Sequence, residues 1–159
     1  MVNILQKRPF GLKGGAYSLS IRTILVTLLI ITYLTGCLVS PFEQKALDQD
    51  KALKIEALAL MDKAVEDYDL HQDQINALTV KIDAAIAYEK SRPKNEITVK
   101  MWTDGIKKPC ADFFEIWQKE GKTSQIYVDG KKEQISDSFD QIIQFEEAKK
   151  QDPAPTKTK

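Results

Sequence analysis

No proline or glycine occurs between Ala46 and Pro93. A stretch of that length without a helix breaker, rich in Ala, Leu, Lys, Glu and Gln, has few options besides helix. Within it Leu58, Met61, Val65, Tyr68, Ile75, Leu78, Ile82 and Ala85 recur at steps of three, four or seven, which lines them along one helical face with charged and amide side chains opposite. The rhythm slips at Gln72, so no unbroken heptad seam forms, and the pattern suits one long helix in a bundle better than a parallel coiled coil.

Ser91-Arg92-Pro93-Lys94-Asn95 ends that helix, because proline disfavours helical geometry at the residue before it and Asn95 is a good cap for a second helix. A short helix is expected from Glu96, stopped by Asp104-Gly105, and another from Pro109 to Gly121 that buries Phe113, Ile116 and Trp117. Thr123 to Ile135 is ambiguous: Ile126-Tyr127-Val128 before Asp129-Gly130 suits a hairpin, whereas Ser124 suits a helix cap. Val128, Ile135, Phe139 and Ile142 share a helical face, and Lys131 to Gln134 lacks the alternation of a returning strand, so helix is expected.

The expected fold is therefore all-α, a three- or four-helix bundle with one long N-terminal helix. The helical domain is placed at residues 46–150, and residues 151–159 (QDPAPTKTK) are expected to be a disordered tail with nothing to bury. About 120 residues suffice for one core.

The first 36 residues have a different character. They contain no Asp or Glu, carry Lys7, Arg8, Lys13 and Arg22, and run from Thr23 to Leu34 through 12 uncharged residues. A membrane span usually needs about 20 apolar residues, so this is the layout of an export signal rather than a permanent span. Leu34-Thr35-Gly36-Cys37 at its end resembles the lipobox of bacterial lipoproteins: an apolar residue, two small ones, then a cysteine. That resemblance implies that residues 1–36 are a cleaved lipoprotein signal peptide, that Cys37 is acylated, and that 37–45 are the lipidated cysteine and a tether. Each buried acyl methylene contributes about 0.8 kcal/mol, so two or three chains make an anchor. In Gram-negative members Asp after the cysteine favours inner-membrane retention. Leu38 stands there, which implies the periplasmic face of the outer membrane where the host has one.

Residues 37–159 carry 19 basic against 23 acidic side chains, and this acidic balance argues against a nucleic-acid partner, which needs clustered positive charge. Candidate chemistry is sparse. His71, the single histidine, would share a helix face with Asp67, but one helix does not supply the three or four convergent ligands of a metal site, and an exposed acidic face is the expected setting. His71 with Met61 or Met101 as haem ligands finds no support in an attachment motif. Cys110, at an expected helix start beside Lys107 and Lys108, is open to pKa lowering, yet with Cys37 acylated it has no partner in the mature chain, and burial is the expected outcome over an intermolecular disulfide. Trp102, Phe113, Phe114, Trp117, Tyr127 and Phe139 have helical spacing and are expected in the core rather than in a ligand groove. No nucleophile elbow or phosphate loop is present.

These features predict a non-enzymatic, lipid-anchored cell-envelope protein, without cofactor or metal, that binds a protein partner or supports an assembly. An inhibitor, immunity or exclusion lipoprotein acting on a basic target is the alternative, and a small-ligand or metal carrier ranks below both.

Overall fold

The computed structural model describes residues 39–151 and has no strand among them. Helix α1 (Gln44–Met61) is followed by two single 3-10 turns (Asp62–Val65 and Tyr68–Leu70) and by α2 (Gln72–Ser91). Helix α3 (Glu96–Lys100), a π-helical stretch (Met101–Lys107) and α4 (Lys108–Glu120) run end to end as one rod. Helix α5 (Gln125–Ala148) and a 3-10 turn (Lys149–Gln151) complete the order. Among the described residues the fold is all-α, as the periodicity predicts.

The stretch expected as a single long helix is two helices. It breaks between Asp62 and His71 although it holds no proline or glycine there. The break lets two apolar faces meet: α1 buries Leu53, Ala57, Leu60 and Met61, and α2 buries Ile75, Leu78, Ile82 and Ala85. A straight rod of that length would leave half of these side chains in water, at about 1.5–3 kcal/mol each for the larger ones. Backbone groups released in the break find partners elsewhere: Ala64 O accepts from Thr123 N at 2.8 Å, Tyr68 N donates to Gly121 O at 2.9 Å, and Glu66 O accepts from the Trp117 indole at 3.0 Å. One consequence is that two residues of the expected face leave the core: Leu58 on α1 is only partly buried, and Val65 in the first 3-10 turn is 40 % exposed.

Asp104-Gly105, expected as a turn, lies inside the rod. The backbone widens there, with Lys108 N donating to Thr103 O, a five-residue step. Pro109 explains this: in an α-helical register it would lack the N–H for the Gly105 carbonyl and its ring would strike it, and the wider turn removes that demand. Gly105 also lets α5 come close, with Ser138 Cβ at 3.6 Å from where a Cβ would stand. Gly121 ends α4 with φ 75°, a conformation that glycine adopts without strain.

The ambiguous segment is helical from Gln125 onward. Ser124 caps α5 by accepting from Tyr127 N at 3.3 Å, and Val128, Ile135, Phe139 and Ile142 are fully buried on one face. Helix α1 packs most extensively on α5 and next on α2, while the π-helical stretch rests on α5 and α2. All contribute to one apolar core, centred on Trp102, Ile106, Phe113, Trp117 and Phe139.

Candidate functional site

Two ends of the helix assembly are built differently. At one, the start of α1, the end of α2, the start of α3 and the end of α5 converge on a buried polar cluster. Its members are spread along the sequence, and three of them sit on apolar stripes: Asp50 follows Ala46 and Leu47 on α1, Glu89 follows Ile82, Ala85 and Ile86 on α2, and Glu146 follows Phe139, Ile142 and Ile143 on α5. Each is no more than 2 % exposed.

Arg92 organises the centre. Its guanidinium donates to Glu89 Oε2 at 2.8 Å, to Glu146 Oε1 at 2.7 Å and to the Pro41 carbonyl at 2.7 Å. Lys149 donates to Glu146 Oε2 at 2.5 Å, Asn95 Oδ1 at 3.2 Å, Thr98 Oγ1 at 3.3 Å and Ser40 Oγ at 3.3 Å. Asn95, expected as a helix cap, makes no side-chain cap bond and instead donates to the Glu89 side chain and to Glu89 O. Its Oδ1 also accepts from Ser40 Oγ at 2.8 Å.

Charge neutrality explains how such a cluster survives burial. Two cations face two fully engaged carboxylates, leaving Asp50 as a third acid. Burial, then the repulsion of Glu89 and Glu146, pushes the Asp50 carboxyl up to about 7, so at mildly acid pH it is neutral and the cluster balances. Burial alone would raise Glu146 as well, but the hydrogen bonds from Arg92, Lys149 and the Glu43 N–H hold it below the usual carboxylate range.

The cluster also grips the chain that leads to Cys37. Ser40 is 2 % exposed, and Glu43 N donates to Glu146 Oε1 at 2.8 Å. Within the segment the sequence assigns to a tether, the chain from Ser40 onward is thus held against the helices, and α1 begins at Gln44.

The opposite end is closed by rings. His71 is only 8 % exposed, against the expectation of a surface histidine, and tilts over Trp117 with centroids 5.5 Å apart. Its Nε2 lies 2.9 Å from Glu66 Oε2, and that hydrogen bond holds the Glu66 carboxyl below its usual range. Asp67, expected on the same helix face, sits where the helix has broken and pairs with Lys122 at 3.2 Å. Among the described residues no group of three His, Cys, Asp or Glu side chains could hold a metal ion. Met61 is fully buried and Met101 packs on the same core. Phe113 stacks on Tyr127 at 5.8 Å, and Tyr68 meets Trp117 edge-on at 5.7 Å.

Cys110 is 2 % exposed, and burial pushes its thiol up to about 12. The lowered pKa that a helix start would give does not arise, because the rod continues through this position and offers no free helix terminus. Leu34, Thr35, Gly36 and Cys37 lie outside the described residues. Among those described, no helix is long and apolar enough to cross a membrane. No family model, curated protein or solved structure matches the chain.

Sequence reasoning missed the polar cluster, though a signal existed. An acid on an apolar stripe, at Asp50, Glu89 and Glu146, breaks the amphipathic pattern at the same end of three helices.

Proposed function

We propose that this is a lipid-anchored protein of the bacterial cell envelope, non-enzymatic, whose helices form a bundle that binds a protein partner or supports an assembly. The observation that carries the reading is Leu34-Thr35-Gly36-Cys37 directly after an acid-free, basic and then apolar segment. Export, cleavage before Cys37 and acylation of its thiol are its consequences, and Leu38 directs the protein to the periplasmic face of an outer membrane where one exists.

The fold is consistent with this role. The groups with potential for chemistry are committed to structure: His71 to Glu66 and Trp117, Cys110 to the core, and the buried carboxylates to Arg92 and Lys149. The grip on Ser40, Pro41 and Glu43 suits a chain anchored just upstream.

The test compares wild type with Cys37→Ala by intact mass and membrane fractionation. Wild type is expected to lose residues 1–36, gain acyl mass and sediment with membranes, whereas the variant stays unacylated. A wild type that is uncleaved, unmodified or free in the soluble fraction would overturn the reading.

A further inference from the structure

We infer that the end of the domain carrying the buried charge cluster is the one held against the lipid headgroups. The inference rests on acylation of Cys37 and goes beyond it to an orientation and a contact surface.

Length decides the matter. Ser40 is pinned by Asn95 and Lys149, and Pro41 by Arg92. Three residue steps separate Cys37 from Ser40, which span about 11 Å at full extension. An acylated Cys37 sits at the base of a headgroup layer roughly 6 Å deep. Whatever the tilt of the domain, the surface around Ser40 stays at or just above the headgroups. The tether does not hold the far end in this way: α5 has 24 residues, about 36 Å of rise from Ala148 back to Gln125.

The surface at that end is suited to an interfacial position. Pro41 and Pro93 are exposed, Phe42 is half-buried beneath Lys150, whose Nζ lies 4.7 Å from the ring centroid, and Ile97 in the first turn of α3 is 54 % exposed. Aromatic rings and lysines of this kind settle at the boundary between acyl chains and water. Charge contributes little. Around this end Lys45, Lys90, Lys94 and Lys150 stand among Glu43, Glu96 and Glu147, so no polybasic patch forms of the sort that selects anionic lipid. The contact is therefore set by tether length and is insensitive to lipid charge.

The test uses the full, natively acylated protein in vesicles, in two variants: Ile97→Cys and Ile126→Cys, the second 86 % exposed in the first turn of α5. Acylated Cys37 and buried Cys110 leave the new thiol as the site for an environment-sensitive fluorophore. Far-UV circular dichroism checks that each variant keeps its helicity. With quencher-bearing headgroup lipids, quenching at position 97 is expected to exceed that at 126 by at least fivefold, equally in phosphatidylcholine vesicles and in vesicles with added phosphatidylglycerol. Equal quenching at both positions in acylated protein overturns the orientation while leaving the anchor standing. Quenching at 97 only with phosphatidylglycerol overturns the charge-independent contact. Protein without acyl mass removes the anchor and the orientation together.

Discussion

The two ends of this small helical domain do the same mechanical job with opposite physics. One fastens four helix termini with buried ions, Arg92 and Lys149 against Glu89 and Glu146. The other fastens the remaining termini with aromatic rings and main-chain hydrogen bonds, Trp117 and His71 against the broken α1–α2 connection and Thr123 against Ala64. Indole rings and main-chain amides are indifferent to pH and contribute through area removed from water, and the titrating contact between Glu66 and His71 at that end involves a half-exposed carboxylate. Buried ions carry a desolvation cost that is offset only while every partner is present and in the right protonation state. The charged end is therefore the conditional one, and it is the end from which the chain runs toward Cys37.

The largest expected effect is at the centre of the ionic end. Arg92→Ala removes the hydrogen bonds to Glu89, Glu146 and the Pro41 carbonyl and leaves Glu89 and Glu146 buried with only Lys149 for compensation. Breaking a buried pair in this way costs about 3–5 kcal/mol. Urea unfolding of the domain without its anchor should show that loss, and a cost under about 1 kcal/mol would mean that the cluster is not closed to water.

At the ring end, Trp117→Phe is expected to cost about 1–3 kcal/mol, from the lost ring volume and from a Glu66 carbonyl left without its donor. Trp102 sharpens the comparison, because its equally buried indole N–H has no hydrogen-bond partner, so Trp102→Phe loses only packing. Thermal melts of the two variants should rank Trp117→Phe as the more damaging. The reverse order would show that the Glu66 contact contributes nothing.

The smallest effect is the most diagnostic of a conditional end. Asp50 has its carboxyl raised from 3.8 to about 7 in the fold, so between those values the folded chain holds a proton that the unfolded chain has released. Stability from this group is therefore greatest at the acid side and is lost as pH rises through about 7, where the third buried negative charge appears. Glu146 works the other way: its lowered pKa makes its contribution present at neutral pH and lost on acidification. Asp50→Asn should thus raise the melting temperature at pH 8 and change it little near pH 4. A gain that is the same at both pH values would place Asp50 outside the cluster's field.

Different parts of the molecule were legible in the sequence to different degrees. The helical periods of α2 and α5 could be read residue by residue, down to Ser124 as cap and Val128, Ile135, Phe139 and Ile142 as a buried face, whereas on α4 Phe113 and Trp117 are buried as expected but Ile116 is half-buried and Phe114 takes its place in the core. The break at Asp62–His71 could not, because nothing local in that segment opposes helix. It occurs where the C-terminal end of α4 and its adjoining loop supply partners for the freed backbone groups, and those partners lie some 50 residues away in the chain. The missed turn at Asp104-Gly105 has a similar origin, since a glycine that reads as a stop is absorbed into a wide turn ahead of Pro109 against Ser138 of α5.

By itself, the sequence determined what depends on neighbours along the chain: helical secondary structure, the apolar stripes, the burial of the aromatic residues, and the marked change of composition at Cys37. Tertiary structure alone decided what depends on residues distant in sequence. It folded the first helix back on itself, buried His71, and brought Ser40, Asp50, Glu89, Arg92, Asn95, Glu146 and Lys149 into one neutral cluster. The physical reason is that a charged residue reads as exposed until its counter-ion is placed beside it, and only the packing of helix ends places it there.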